Sequence, residues 1–493
     1  TNSTWTINGA ANSTYSNGVT TVGLTGFANL QGNSQNDTFN VISPSTFNLL
    51  GGAGADVFDV DAALTGSVNG QGGSDTLRGD VLAGVTLTSL DPSGADGSVA
   101  AGLSGGFTDI ESLEASNTLA STLTGLTGLG VDPVWTINGG ASTYAFSGGT
   151  LNLLGNFDTM VGSSGIDTYN ITGATTVDLI SDPAGSGSAD TFNVGAVLTG
   201  NITARFGLDV VNMNAGGQVT GTVDLGTSGT IDYSAFGSAV TVTLTNVGTI
   251  DGFQGNGTGI GAFNNLTTLI GATGFNDTLV GVNFAATWNL PAPTRTYTST
   301  GSGVVLQTLT ISGLETLQGG SGVYTFNLTA PHAGSLLGGL GNDIFNINSQ
   351  VNQSLAAGGV VDGQGGSDTL QGNVISAVVI TNVDANGFDG TEADIAGNFN
   401  DVETINGNGG ASSTFTGNNS SAIWDLDGSP TYTTNGNTAN ISAFGTLIGG
   451  NVDDRFNVTL ASQFTLQGAG GDDIFDIDAV LTGNVDGGTG SNT

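Results

Sequence analysis

Aspartates recur in this 493-residue chain at a fixed step: Asp37, Asp56 and Asp75 are nineteen residues apart, as are Asp454 and Asp473. Asp343 and Asp368 repeat the arrangement with six residues inserted. Gly-rich stretches precede them, such as Gly51-Gly52-Ala53-Gly54 before Asp56. Carboxylates and turn carbonyls are hard oxygen donors, and calcium takes about six to eight of them. A Gly-rich turn can aim its carbonyls at an ion, and an Asp from the adjacent repeat can complete the shell. Asp56 with Asp75, Asp343 with Asp368, and Asp454 with Asp473 are the candidate calcium pairs, and Asp37 precedes the first. The same residues suit a second use, because a turn Asp commonly accepts hydrogen bonds from its own turn amides. Stacked carboxylates repel without a cation, which points to the metal. Tyr324 and Asn492 in place of Asp point to the amides.

The elements that position these acids can be read from the same repeat. Leu30, Leu49 and Val68 keep the nineteen-residue step, as do Phe39, Phe58 and Leu77, and near the other end Leu447, Leu466 and Val485. The consensus is an apolar residue, any residue, Gly, four turn residues, Asp, any residue, Phe, Asn or Asp, then Val or Ile. In Asp37-Thr38-Phe39-Asn40-Val41 polar and apolar residues alternate, the period of a strand with one buried face. Two short strands and two turns fill a repeat, and identical repeats can stack with their strands parallel. Phe39 is then expected on Phe58, and Val41 on Val60. The reading is an all-β chain, a right-handed parallel β-solenoid of about nineteen-residue coils. No sustained helical period is present.

A larger unit is superimposed. Trp5, Trp135, Trp288 and Trp424 open similar phrases, and Tyr15, Tyr144, Tyr297 and Tyr432 follow each eight to ten residues later. The Trp residues are expected in the core or at a seam. They mark modules at 1–133, 134–286, 287–422 and 423–493, the last breaking off within a repeat, so the chain reads as a segment of something longer. Asn40, Asp59, Asn327, Asn346, Asn457 and Asp476 follow the buried apolar residue and point outward. They suit either stacked amide ladders or a plain solvated face, and the solvated face is the expectation.

Composition narrows the function. Charged residues make up 9% of the chain; 41 are acids, four are Arg and none is Lys, for a net charge of −37. That sign excludes a nucleic-acid footprint and docking on an anionic membrane, and no apolar span long enough to enter a bilayer occurs. The absence of Cys leaves no disulfide framework. Enzyme chemistry is poorly supplied. The acids recur in every repeat instead of gathering once, the Arg residues are scattered, and the single His332, beside Pro331, reads as a surface residue.

The phrases Gly51-Gly52-Ala53-Gly54-Ala55-Asp56-Val57-Phe58 and Gly338-Gly339-Leu340-Gly341-Asn342-Asp343-Ile344-Phe345 resemble the nonapeptide of RTX calcium-binding β-rolls. The longer modules resemble bacterial β-strand-repeat surface proteins and adhesins, filamentous-haemagglutinin-like ones among them. The resemblance implies a secreted, cell-surface solenoid with calcium in its turns. One departure is plain: here the Gly-rich turn comes once per nineteen residues and not in tandem nonapeptides.

The expected role is a non-enzymatic shaft of an extracellular fibre, sheath or layer, whose partners are further copies of itself and other surface or matrix components. The alternative is an adhesin segment holding glycans or host surfaces. Its candidates lie in the least regular stretch and its margin, at Phe206, Tyr233, Phe236, Phe253 and Phe263. At ~20 residues per coil and a strand spacing of about 4.8 Å, the sequence predicts a stack roughly 120 Å long. Small-angle scattering checks this, and a compact globule would overturn it.

Overall fold

The computed structural model describes residues 1–115, 119–127, 130–182, 187–348 and 359–493. They form an all-β protein whose strands pair mostly in parallel from one repeat to the next. Gly9–Asn12 is the only helical turn among the described residues, and no helix there is long and apolar enough to cross a membrane. The chain divides into two compact units. The first comprises 1–238, 249–251 and 257–266; the second comprises 239–248, 252–256 and 267–493.

In the first unit the nineteen-residue step becomes register. The strand Thr38–Ser43 pairs in parallel with Val57–Val60, placing Phe39 opposite Phe58 and Val41 opposite Val60. Phe58 is followed by Leu77, then Leu113, then Leu153. A second column runs Leu30, Leu49, Val68, Phe107. All of these side chains are buried. The two-strand expectation omits a third short pairing, Ser45 with Leu64 and Leu64 with Leu103. It rests on one residue per repeat, too little to create a period in the sequence.

The Trp phrases build something the repeat alone does not predict. Each opens a three-stranded antiparallel meander: Trp5 lies opposite Tyr15 and Tyr15 opposite Val22. The same Trp strand also pairs in parallel with the following repeat, so Trp5 stacks on Phe39 at 5.5 Å and 6°. Trp135 repeats this with Tyr144 and Tyr169. In the second unit Trp288 does so with Tyr297 and Phe326, and Trp424 with Tyr432 and Phe456. Trp135, Trp288 and Trp424 are fully buried, while Trp5 is half-buried. Further meanders without Trp occur at Gly84–Ile110 and Ala377–Val402.

The second unit carries a column of the same kind: Trp288, Phe326, Phe345, Leu370, Ile405 and Ile441 lie one behind another. Each ring gains from burial and from its stacked neighbours, about 0.5–1.5 kcal/mol per aromatic pair beyond the area term. The stretch 349–358, between Leu336 and Val361, lies outside the described residues.

Candidate functional site

All seven candidate aspartates are buried, none more than 3% exposed. Each stands five residues after a glycine: Gly32, Gly51, Gly70, Gly338, Gly363, Gly449 and Gly468. None of these glycines has a positive φ, so turn geometry does not require them. Space does. A Cβ on Gly51 would lie 2.4 Å from Asp56 Oδ2 and 2.6 Å from the carbonyl oxygen of Gly70. On Gly338 it would lie 2.4 Å from Asp343 Oδ2 and 2.7 Å from the Gly363 carbonyl. The glycine clears the volume that the carboxyl group fills. The turn itself is made by the next residue, with Gly52 at φ +106° and Gly339 at φ +113°.

The carboxyls link repeats through the backbone. Asp37 N–H donates to Asp56 Oδ1 at 2.7 Å, and Asp56 N–H donates to Asp75 Oδ1 at 2.7 Å. Asp343 N–H donates to Asp368 Oδ1 at 2.7 Å, and Asp454 N–H to Asp473 Oδ1 at 2.9 Å. Every bond in the column runs the same way, from the amide of one repeat to the carboxyl of the next. Turn-amide bonding also occurs, but at the head of a run. Asp37 accepts the turn amide of Asn33 at 2.7 Å, and Ser3 N–H and Oγ–H from just before the preceding strand; Asp454 accepts the turn amide of Gly450, and Ala422 N–H from the preceding strand.

Several column members lie outside the candidate calcium pairs. Asp75 N–H donates to Glu111 Oε2 and Asp368 N–H to Glu403 Oε2, both at 2.5 Å. Asp277 N–H donates to Glu315 Oε2 at 2.8 Å. Asp167, Asp190 and Asp209 form a further run in the first unit. The signal was available: each acid stands two residues before a stacked apolar residue, as Glu111 stands before Leu113. Tyr324 occupies this position before Phe326, its N–H donating to Asp343 and its hydroxyl to the Val282 carbonyl.

Burial dominates the electrostatics. It pushes the Asp75 and Asp368 carboxyls up to about 7, against the partial relief of the amide each accepts. Acidic neighbours add to the rise, Glu111 and Asp56 for the first, Asp343 and Glu403 for the second. Burial likewise lifts Asp343 and Asp454 to about 6, and Asp56 and Asp473 upward.

One oxygen of each carboxyl faces an amide N–H, the other lies against a glycine Cα, and successive acids sit one per repeat. Among the described residues no three acidic or histidine side chains converge as a metal-ligating group, whereas calcium wants about six to eight oxygens.

Outside the column, the polar face is more ordered than a solvated surface. Asn327 Nδ2 donates to Asn289 at 3.0 Å, Asn346 to Asn327 at 2.8 Å, Gln371 to Asn346 at 2.7 Å and Asn406 to Gln371 at 3.1 Å. Asn457 donates to Asp425, whereas Asp59 and Asp476 accept from Arg78 and Arg455. Of the candidate binding aromatics, Tyr233, Phe253 and Phe263 are buried and Phe236 packs edge-on to Tyr233, leaving Phe206 exposed. His332, expected at the surface, is 1% exposed with Arg295 Nη1 3.0 Å from its Nδ1. Burial and that guanidinium hold its pKa down, to about 4.

Compared with protein-family models and with curated proteins, the chain matches none.

Proposed function

We propose that this chain is a shaft segment of an extracellular surface fibre, sheath or layer. In this reading it is a right-handed parallel β-solenoid of ~19-residue coils grouped in Trp-started modules, and it associates with copies of itself. The observation that carries the reading is the use made of its chemically capable side chains. The acids hold backbone amides of the neighbouring repeat, the amides bond to one another in a ladder, and the Trp residues stack on the following repeat. Side chains that in an enzyme or receptor would converge on a ligand are spent on making one repeat fit the next. The same contacts recur within each unit, as a uniform shaft requires.

Negative-stain electron microscopy of the purified chain, concentrated at physiological salt, tests the proposal. Filaments or ordered sheets are the expected result. Particles that stay separate at all concentrations, together with selective retention on a glycan array, would replace it with the adhesin reading.

A further inference from the structure

We infer that the buried aspartates behind the head of each run, Asp56, Asp75, Asp343, Asp368 and Asp473, carry a proton in the folded chain and donate it to a facing backbone carbonyl. The inference begins with an asymmetry between the two carboxyl oxygens. Oδ1 of Asp56, Asp75, Asp368 and Asp473 accepts an amide from the preceding repeat, and Asp343 Oδ1 accepts Tyr324 N–H. Oδ2 of all five is buried and receives no hydrogen bond. At the heads of the runs this oxygen does receive one, from Asn33 at Asp37 and from Gly450 at Asp454.

The unpaired oxygen also faces another acceptor. Beside Gly51, Asp56 Oδ2 and the Gly70 carbonyl oxygen flank the same small volume; Asp343 Oδ2 and the Gly363 carbonyl do so beside Gly338, and Asp473 Oδ2 and the Gly487 carbonyl beside Gly468. Beside Gly70 and Gly363 the facing carbonyls are those of Asp109, with Asp75 Oδ2, and Asp401, with Asp368 Oδ2. Two lone-pair-bearing oxygens brought together in a dry interior repel, and a proton on one of them turns the repulsion into a hydrogen bond.

Asn492 supplies an independent observation, because it occupies the same position with a neutral side chain. Its Oδ1 accepts Asp473 N–H at 2.8 Å, as an Asp would, and its Nδ2 donates to the Gly487 carbonyl at 2.8 Å. A protonated carboxyl has the same donor and acceptor pattern as this amide.

The charged groups facing the column are acids: Asp37 at Asp56; Asp56, Glu111 and Asp109 at Asp75; Asp343, Glu403 and Asp401 at Asp368; Asp453 and Asp472 at Asp473. Tyr324 and Asp368 are hydrogen-bonded to Asp343 through their shared ladder. The folded chain therefore keeps protons that the unfolded chain releases above the ordinary Asp value of 3.8. Stability is greatest below that value and is lost as pH rises through about 6 to about 7.

The test compares the wild-type chain with the double variant Asp75→Asn and Asp368→Asn, by thermal unfolding at pH 5 and pH 8 in chelator. At pH 5, part-way through the loss, the midpoints should lie closer together than at pH 8. At pH 8 the variant should unfold higher than wild type, by at least about 3 °C. Infrared spectroscopy of the folded wild-type chain at pH 5, where ordinary carboxyls are ionised, should show the C=O stretch of protonated carboxyls, which needs no variant to fold. Absence of that band, or a variant no more stable than wild type at pH 8, overturns the inference. So does a rise in the wild-type midpoint with millimolar calcium that the variant lacks, which would return the column to a cation.

Discussion

Alanine at Gly51 is expected to destabilise the first unit by about 3–5 kcal/mol, several times the cost of an ordinary surface substitution. The added methyl meets Asp56 Oδ2 at 2.4 Å and the backbone of the next repeat at 2.6 Å. If the carboxyl moves away, Asp37 N–H loses its acceptor in a buried place. If the carboxyl stays, two repeats must separate where their backbones are hydrogen-bonded. Gly23→Ala is the matched control, since nothing lies within 4 Å of its Cβ position and its φ is not positive. Denaturant unfolding of the two variants decides it. A Gly51→Ala variant within about 0.5 kcal/mol of Gly23→Ala would mean that the carboxyl relocates freely.

Loss of Phe326 should be as damaging for a different reason. Its ring lies between Trp288 at 5.9 Å and Phe345 at 4.9 Å, tilted by no more than 12° from either. It is fully buried. Phe326→Ala opens a cavity bounded by two flat rings whose backbones are fixed in a parallel ladder, so little collapse is possible. The expected cost is about 3–5 kcal/mol. Phe275, 39% exposed, should give about 1 kcal/mol or less when changed to Ala. Equal losses at the two positions would show that the stacked column contributes no more than scattered surface contacts.

The repeat and its register were legible because a fixed nineteen-residue step with period-two alternation has one geometric solution: Phe39 over Phe58 and Val41 over Val60. The antiparallel meanders were not, because their strands alternate with the same period. The Trp–Tyr spacing marked where they begin without revealing which way the second strand runs. The acids were read from the repeat as turn residues, for a cation or for their own turn amides, and their burial was not read. Parity carried it. Asp37 stands two residues before Phe39 and four before Val41, so the alternation that buries the ring also carries the carboxyl inward. A carboxyl that gains an amide and keeps a proton is no longer a buried charge. His332 was misplaced for want of any local signal that Arg295, 37 residues away, would cover it.

Because the bond from Asp37 N–H to Asp56 is of the same kind and length as the bond from Asp56 N–H to Asp75, a single repeat is interchangeable with its neighbour. Excising the nineteen residues from Leu49 to Ser67 would bring Asn48 against Val68 and leave Asp37 donating to Asp75, with Phe39 over Leu77. Losing eighteen or twenty would put the acid and the ring on the wrong face of every strand that follows within the run. Steps of twenty-three and twenty-five residues, Asp167 to Asp190 and Asp343 to Asp368, keep the same bond, so even-numbered additions between acids also leave the ladder continuous. The molecule's copy number is free to drift while its cross-section is held constant.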